Sequence, residues 1–248
     1  QYKGSKKITK ADWMPNNVLE HTKDFIMWIN SINSGFQSQL RYDKFAMYCQ
    51  QAKDWLDERV DMADLDYDDK NEYMAQEVAR CRDNTLYFMD KYLQVVEADE
   101  SGSNMKYLSK PVHKVLCFMV DSGYSFMAGK PRQIAASTTI GGIALAKLIT
   151  RKNFFIKFIT MDKEKGIEIF EDKIKAPFSE LPHFLKPAVS NDRDNLLRMS
   201  RKTKEKGTKG GLNSTLRVVA PSVSAINGGA PPLVLVDEAG YINILGKM

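Results

Sequence analysis

Apolar residues recur at three- and four-residue spacing through most of residues 19–99, the pattern of helices that each bury one face. "NVLEHTKDFIMWINSI" (17–32), "YDKFAMYCQQAKDWLDERV" (42–60) and "DDKNEYMAQEVARCRDNTLYFMDKYLQVV" (68–96) predict three helices, with Asp68 and Asp69 placed to cap the third. Residues 1–18 show no such period and read as an irregular arm. "EADESGSN" (97–104) is polar, contains Gly and Ser, and reads as a linker.

The pattern then changes. "KPVHKVLCFMVDSG" predicts a short helix ending at Gly123, and "YSFMA" is a short apolar run. "STTIGGIALAKLITRK" predicts a helix whose first turns are made of small residues. "NFFIKFITM" is rich in β-branched and aromatic residues and reads as a strand. "DKEKGIEIFEDKIKAPF" predicts a helix that stops near Pro177. "STLRVVAPSV" and the all-apolar run in "PPLVLVDEAG" read as two more strands. Short apolar strands alternating with helices indicate an α/β fold with a mostly parallel, buried sheet flanked by helices. The division expected is a helical N-terminal region, residues 1–100, packing on or beside an α/β core at 105–248. There is no internal repeat.

Composition narrows the classes. With 248 residues, 43% hydrophobic and 27% charged, the chain is an ordinary globular length and mix. No apolar run approaches the ~18–20 residues that span a bilayer. Residues 1–12 are polar and basic, so no secretory signal is expected there. Cys49, Cys81 and Cys117 are odd in number and far apart, which suits reduced thiols rather than a disulfide framework or a zinc site. The net charge of +5 is mild but uneven. Residues 53–77 are strongly acidic, while 198–209 carry six Lys/Arg against one Glu. Either stretch reads as a solvated surface. Alternatively, the basic loop meets a phosphate backbone and the acidic face meets a protein.

Chemistry concentrates in two places. In "LVLVDEAG" an apolar strand delivers Asp237 and Glu238 at its carboxyl end, where open α/β sheets bind ligands. In nucleotide hydrolases an acid at the Asp237 position holds Mg²⁺, and one at the Glu238 position orients or deprotonates the attacking water. One hundred residues upstream, "AGKPRQIAASTTIGG" (128–142) stands as a loop before a helix. Set against G-x-x-x-x-G-K-[ST], Ser137 takes the hydroxyl position, Ala136 the Lys position, Ala135 the second Gly and Lys130 the first Gly. Backbone N–H groups and a helix N-terminus favour phosphate whatever the side chains are. Lys130 and Arg132 offer replacement cations, and Ser137 and Thr138 offer Mg²⁺ hydroxyls. Ala135 suits the Gly position if its φ stays negative. On the competing structural reading, "KPRQ" is an exposed turn and Gly141-Gly142 a helix-packing contact.

"KPRQIAAST" resembles the variant Walker A loop of tailed-phage large terminase subunits, in which the lysine has moved to the start of the loop. "MDKEKGIEIFEDKIKAPFSELPHFLKPAV" is similar to the family stretch in which a strand, a helix and an LP-x-x-LKP segment precede a β-hairpin. "VVAPSVSAINGGAPPLVLVDEAGYI" looks like the run into Walker B, and the resemblance covers roughly residues 105–245. It implies a P-loop NTPase fold of the RecA/ASCE-like kind that binds ATP and Mg²⁺. On this resemblance Lys130 contacts the β/γ-phosphates, Arg132 senses the γ-phosphate, and Gln133, Ala135 and Ala136 line the loop. Ser137 ligates Mg²⁺ beside Thr138, Asp237 is the second metal residue and Glu238 the catalytic carboxylate. His113, or Tyr107 before it, stands near the family's adenine-contacting position. Double-stranded DNA, portal protein, small terminase subunit and a ring of further copies are the implied partners, in the host-cell cytoplasm.

Two departures stand out. Asn227-Gly228 occupies the place of a family Arg-Gly pair, so a finger to a neighbouring subunit falls to Arg217, Arg193 or the loop arginine. The chain also carries only ten residues after Glu238. The family's coupling motif, lid and nuclease domain follow that point, so an excised ATPase portion without nuclease activity is the expectation. Competing readings are a helicase-like Asp-Glu-box ATPase and a degenerate P-loop module that binds DNA or assembles without hydrolysis.

Overall fold

The computed structural model describes residues 42–96, 104–125, 135–160, 162–193, 195–201, 210–220 and 230–237. Within them the chain opens on α1 (Tyr42–Asp57), as its periodicity predicts. The helix expected at 17–32 lies outside the described residues. The long helix expected over 68–96 is instead α2 (Tyr67–Asp83), α3 (Thr85–Tyr92) and a short strand β1 (Gln94–Val96). Asn84 makes the break. Its backbone is extended (φ −140°, ψ 101°) and its side-chain oxygen accepts from Tyr87 N, so it ends α2 and caps α3 at once. Its amide nitrogen also donates to Tyr48 O at 3.0 Å, which ties the break to α1. The cap of α2 is Asp66, accepting from Asp69 N, rather than Asp68 or Asp69. Those two sit in the first turn, where they meet the positive end of the helix dipole.

β1 pairs antiparallel with β2 (Asn104–Lys106), so the polar stretch read as a linker joins two strands of a hairpin; its residues 97–103 lie outside the described residues. α4 (Pro111–Asp121) follows, with Gly123 just beyond it at φ +75°, where a side chain would be strained. The centre of the molecule is α5 (Ala136–Thr150), in which twelve of fifteen residues are buried. A helix with no polar face must be covered on every side. Ala52, Leu86 and Met89 from the first helices share one buried cluster with Leu145 of α5 and with Phe158 and Leu235 of the sheet. The helical and α/β portions therefore share a core.

Beyond β3 (Phe155–Ile159) comes α6 (Lys163–Phe170), then a π-helical turn (Glu171–Lys175) and α7 (Ala176–Glu180). The helix was expected to stop near Pro177, yet it runs three residues past it. The wider turn is the reason: Ala176 N reaches back to Glu171 O, five residues, and the chain re-registers just before the residue that has no N–H. Gly141 packs against this turn, where an added Cβ would lie 2.7 Å from Lys173 O; Gly142 packs likewise on Leu93 and Met89. Both glycines are packing contacts.

A short 3₁₀ turn at His183–Leu185 leads to β4 (Val189–Arg193) and β5 (Leu196–Arg201), an antiparallel pair, so the LP-x-x-LKP stretch does precede a hairpin. β6 (Gly210–Val219) and β7 (Leu233–Val236) complete a sheet ordered β4-β5-β6-β3-β7. β3 is parallel to β6 and β7, whereas β5 is antiparallel to β4 and β6. The sheet is mixed, and the mostly parallel expectation holds for one half. One face, with Leu197, Met199, Leu216, Ile156, Phe158 and Leu235, is buried. The register places Arg198, Thr215, Arg217, Phe155 and Val234 on the other. β7 is therefore not covered on both faces as its apolar run suggested: Val234 and Val236 are 46% and 38% exposed, on the sheet's edge among the described residues.

Candidate nucleotide site

Ala135 turns the chain into α5. It adopts the left-handed conformation (φ 54°, ψ 31°), not the negative φ under which alanine suits a glycine position. Left-handed backbone costs an L-residue about 1–2 kcal/mol, and the surrounding contacts hold it there. Thr139 Oγ1 donates to Ala135 O at 2.9 Å. The Tyr107 hydroxyl stands 2.7 Å from Thr139 Oγ1 and 2.6 Å from His113 Nδ1, and Lys110 N donates to the same ring nitrogen at 3.2 Å. This chain of buried groups runs from the start of α4 to the start of α5. Burial pushes the Tyr107 phenol far above its ordinary range, the Thr139 hydrogen bond pulling weakly the other way. His113 is 1% exposed and Tyr107 4%. Both join the network that holds the start of α5. Sequence reasoning missed Thr139, whose only signal is a third consecutive hydroxyl in the first turn of the helix.

The first turn of α5 holds no acidic residue, and its N-cap makes no side-chain hydrogen bond. The N–H groups there are donors of the kind that bind anions at helix starts. Ala136 is buried, and Ser137 and Thr138 are half-buried. Ser137 Oγ donates to Asp237 Oδ2 at 2.5 Å, across 100 residues of chain. Asp237 is 2% exposed at the end of β7, where its N–H continues the ladder to Ile159 O at 3.0 Å. Two hard oxygen donors, one hydroxyl and one carboxylate, thus meet at the carboxyl end of the parallel strands. That donor set fits Mg²⁺, which prefers oxygen and keeps waters in its remaining positions. Lys130, Arg132, Gln133 and Glu238 lie outside the described residues, as do residues 126–128 of the "YSFMA" run. Tyr124 and Ser125 of that run are not in a strand.

Among the described residues no group of three or more His, Cys, Asp or Glu is placed to hold a metal. Burial raises all three thiols above their ordinary range, Cys49 to about 12, which disfavours the thiolate form. No helix of the described residues is long and apolar enough to cross a membrane. The basic segment read as a loop is strand through Arg201, with 202–209 outside the described residues.

No protein-family model matches the chain, and no curated protein matches it. Among solved structures the chain is similar to the HK97 bacteriophage large terminase, at 16% identity and a TM-score of 0.44. The overlay covers 63% of this chain and 30% of that one, so the chain spans under a third of that terminase's length.

Proposed function

We propose that this chain binds ATP with Mg²⁺ where α5 begins and β7 ends, and hydrolyses it to drive double-stranded DNA as the ATPase portion of a phage packaging motor of the large terminase kind. The observation that carries the reading is the Ser137–Asp237 hydrogen bond. It joins the hydroxyl of a loop-helix to the acid of a downstream strand, the two positions that a P-loop site brings together. Sequence order and resemblance supply the rest. The N–H groups of α5 hold phosphate oxygens, Lys130 and Arg132 add positive charge from the loop, and Glu238 orients the attacking water. Ser137 and Asp237 hold Mg²⁺, which when bound neutralises charge on the β- and γ-phosphate oxygens. DNA contact is through phosphates and independent of sequence. The portal protein, the small terminase subunit and further copies of the chain in a ring are the partners this reading entails, in the cytoplasm of an infected host.

Calorimetry with Mg²⁺ and ATPγS on the wild type, Ser137→Ala, Asp237→Asn and Lys130→Ala tests it. Binding by the wild type that weakens at least about tenfold in Asp237→Asn and Lys130→Ala is expected, tenfold being about 1.4 kcal/mol. Equal affinity across the four proteins, or no binding by the wild type, overturns the reading.

A further inference from the structure

The opposite end of the sheet carries a different chemistry. Where β3 begins and β5 and β6 pair, a cleft of about 280 Å³ is lined by Asn153, Phe155, Arg198, Asn213, Thr215 and Arg217. The register sets Arg198 opposite Thr215 and Leu196 opposite Arg217. The two arginines therefore share one face of neighbouring strands as a diagonal pair, their side-chain roots about 7–8 Å apart. Arg198 is held in place: its Nη2 donates to Asn213 Oδ1 at 3.0 Å, and Asn213 Nδ2 donates to Asn153 Oδ1 at 2.9 Å. Both asparagines adopt left-handed backbone, φ 53° and 54°, a conformation asparagine tolerates better than most residues. Arg198 Nε is buried and has no hydrogen-bond partner among the described residues. An orphaned buried donor on a charged group is costly, and it marks a place where an acceptor belongs.

Among the described residues no carboxylate lines the cleft. The acid on β4, Asp192, is paired with Lys175 at 2.7 Å and sits opposite Leu197, on the other face of the sheet. Two guanidinium groups without a carboxylate select an anion with several oxygens, which phosphate provides. The nucleotide site cannot supply that phosphate. Asn153 precedes β3, whereas Asp237 bonds to Ile159 at its far end, about 20 Å away at 3.3 Å per strand residue.

We propose that Arg198 and Arg217 form a phosphodiester-binding cleft for a nucleic-acid backbone. Arg217 is exposed, so the cleft is open enough for a chain of phosphates to pass across it. The sequence joining the two strands, 202–209, favours a polyanion over a single small ion, since it carries four Lys against one Glu. The cleft shares with the proposed function the handling of DNA, but none of its residues belongs to the Ser137–Asp237 site, so the two readings fail separately.

The test is fluorescence anisotropy with a labelled random-sequence DNA duplex, on the wild type, Arg198→Gln, Arg217→Gln and the double variant, from about 50 to 200 mM salt. Each single variant is expected to bind about 3–10-fold more weakly, with the slope of log K on log salt falling by about one per arginine. Thermal unfolding is expected to stay at the wild-type value in Arg217→Gln, whose exposed side chain makes folding failure remote from the result. A double variant that binds the duplex within about twofold of wild type, with an unchanged salt slope, overturns the proposal. So does a cleft that titrates with inorganic phosphate by NMR in the wild type alone while duplex affinity is the same in all four proteins, which makes it a free-anion site. Loss of self-association in sedimentation with duplex binding intact also overturns it, because the cleft then meets a carboxylate of another copy.

Discussion

α5 carries a buried polar centre towards each end, and the two centres use similar groups for opposite purposes. Towards its C-terminus, Lys147 forms an ion pair with Asp121, both side chains under 10% exposed. The remaining capacity of Asp121 is filled by the chain: Tyr48 OH at 2.7 Å, Thr85 N at 2.8 Å and Thr85 Oγ1 at 2.6 Å. Tyr48 OH in turn accepts from Leu86 N at 3.0 Å. Four helices, α1, α3, α4 and α5, meet at one carboxylate. At the other end, about 15 Å away along the helix axis, Ser137 and Asp237 join the start of α5 to the end of β7. The first centre is closed over by helices and fixes their packing. The second lies where the ends of parallel strands meet the start of a helix. A buried carboxylate is thus structural or functional according to what else its position offers.

The comparison breaks most sharply under mutation. Lys147→Met leaves Asp121 buried without its cation and is expected to destabilise the protein by about 3–5 kcal/mol, read from urea midpoints. Asp237→Asn keeps the hydrogen-bonding shape and is expected to cost under about 1 kcal/mol of stability while weakening nucleotide binding. If the two variants unfold alike, the division between the centres is wrong. Gly141→Ala tests the packing of the same helix midway between them. Its Cβ would fall 2.7 Å from a backbone oxygen, so about 1–3 kcal/mol of destabilisation is expected in thermal unfolding, with local shifts around Lys173.

Glu77 offers a second structural carboxylate, and pH reads it. Burial acts to raise its pKa, but hydrogen bonds from Lys91, Tyr92 and Tyr87 outweigh this and lower it below the ordinary value of 4.5. A carboxyl depressed by folding contributes stability above its unfolded pKa and loses it as pH falls through the folded value. Wild-type stability should therefore drop below about pH 4.5 more steeply than that of Glu77→Gln, measured by urea titration at several pH values. Parallel curves would remove Glu77 from the set of structural acids. The smallest effect is expected at the loop: Ala135→Gly relieves the left-handed strain but adds unfolded-chain entropy, for a net gain of at most about 1 kcal/mol. A loss of stability there would mean that alanine's methyl group is needed.

Much was legible in the sequence because it depends on neighbours in the chain. The period of α1, the small-residue start of α5, the β-branched run of β3 and the Gly123 stop each express local sterics or local burial. The pairing of Ser137 with Asp237 was legible too, since a helix start and a strand end in that order imply a shared site. Lys147 gave a signal that went unread: a lone charge inside "IALAKLIT" must find a partner.

What the tertiary structure alone decided concerns groups far apart in sequence. Asn84 breaks the helical run because its amide also bonds to α1, and local periodicity contains no trace of that bond. β5 pairs antiparallel with β6 because the hairpin returns that way, turning half of an expected parallel sheet into a mixed one. His113 stands near an expected base contact by position, and only the fold shows it buried and bonded to Tyr107. Ala135 takes positive φ because Thr139 and the fixed start of α5 hold it there, against its own preference. The sequence determines which segments are helices and strands and which residue types meet at strand ends. Burial, backbone sign and partner choice are set by long-range packing, whose free energy exceeds the ~1 kcal/mol of local preference that a single residue expresses.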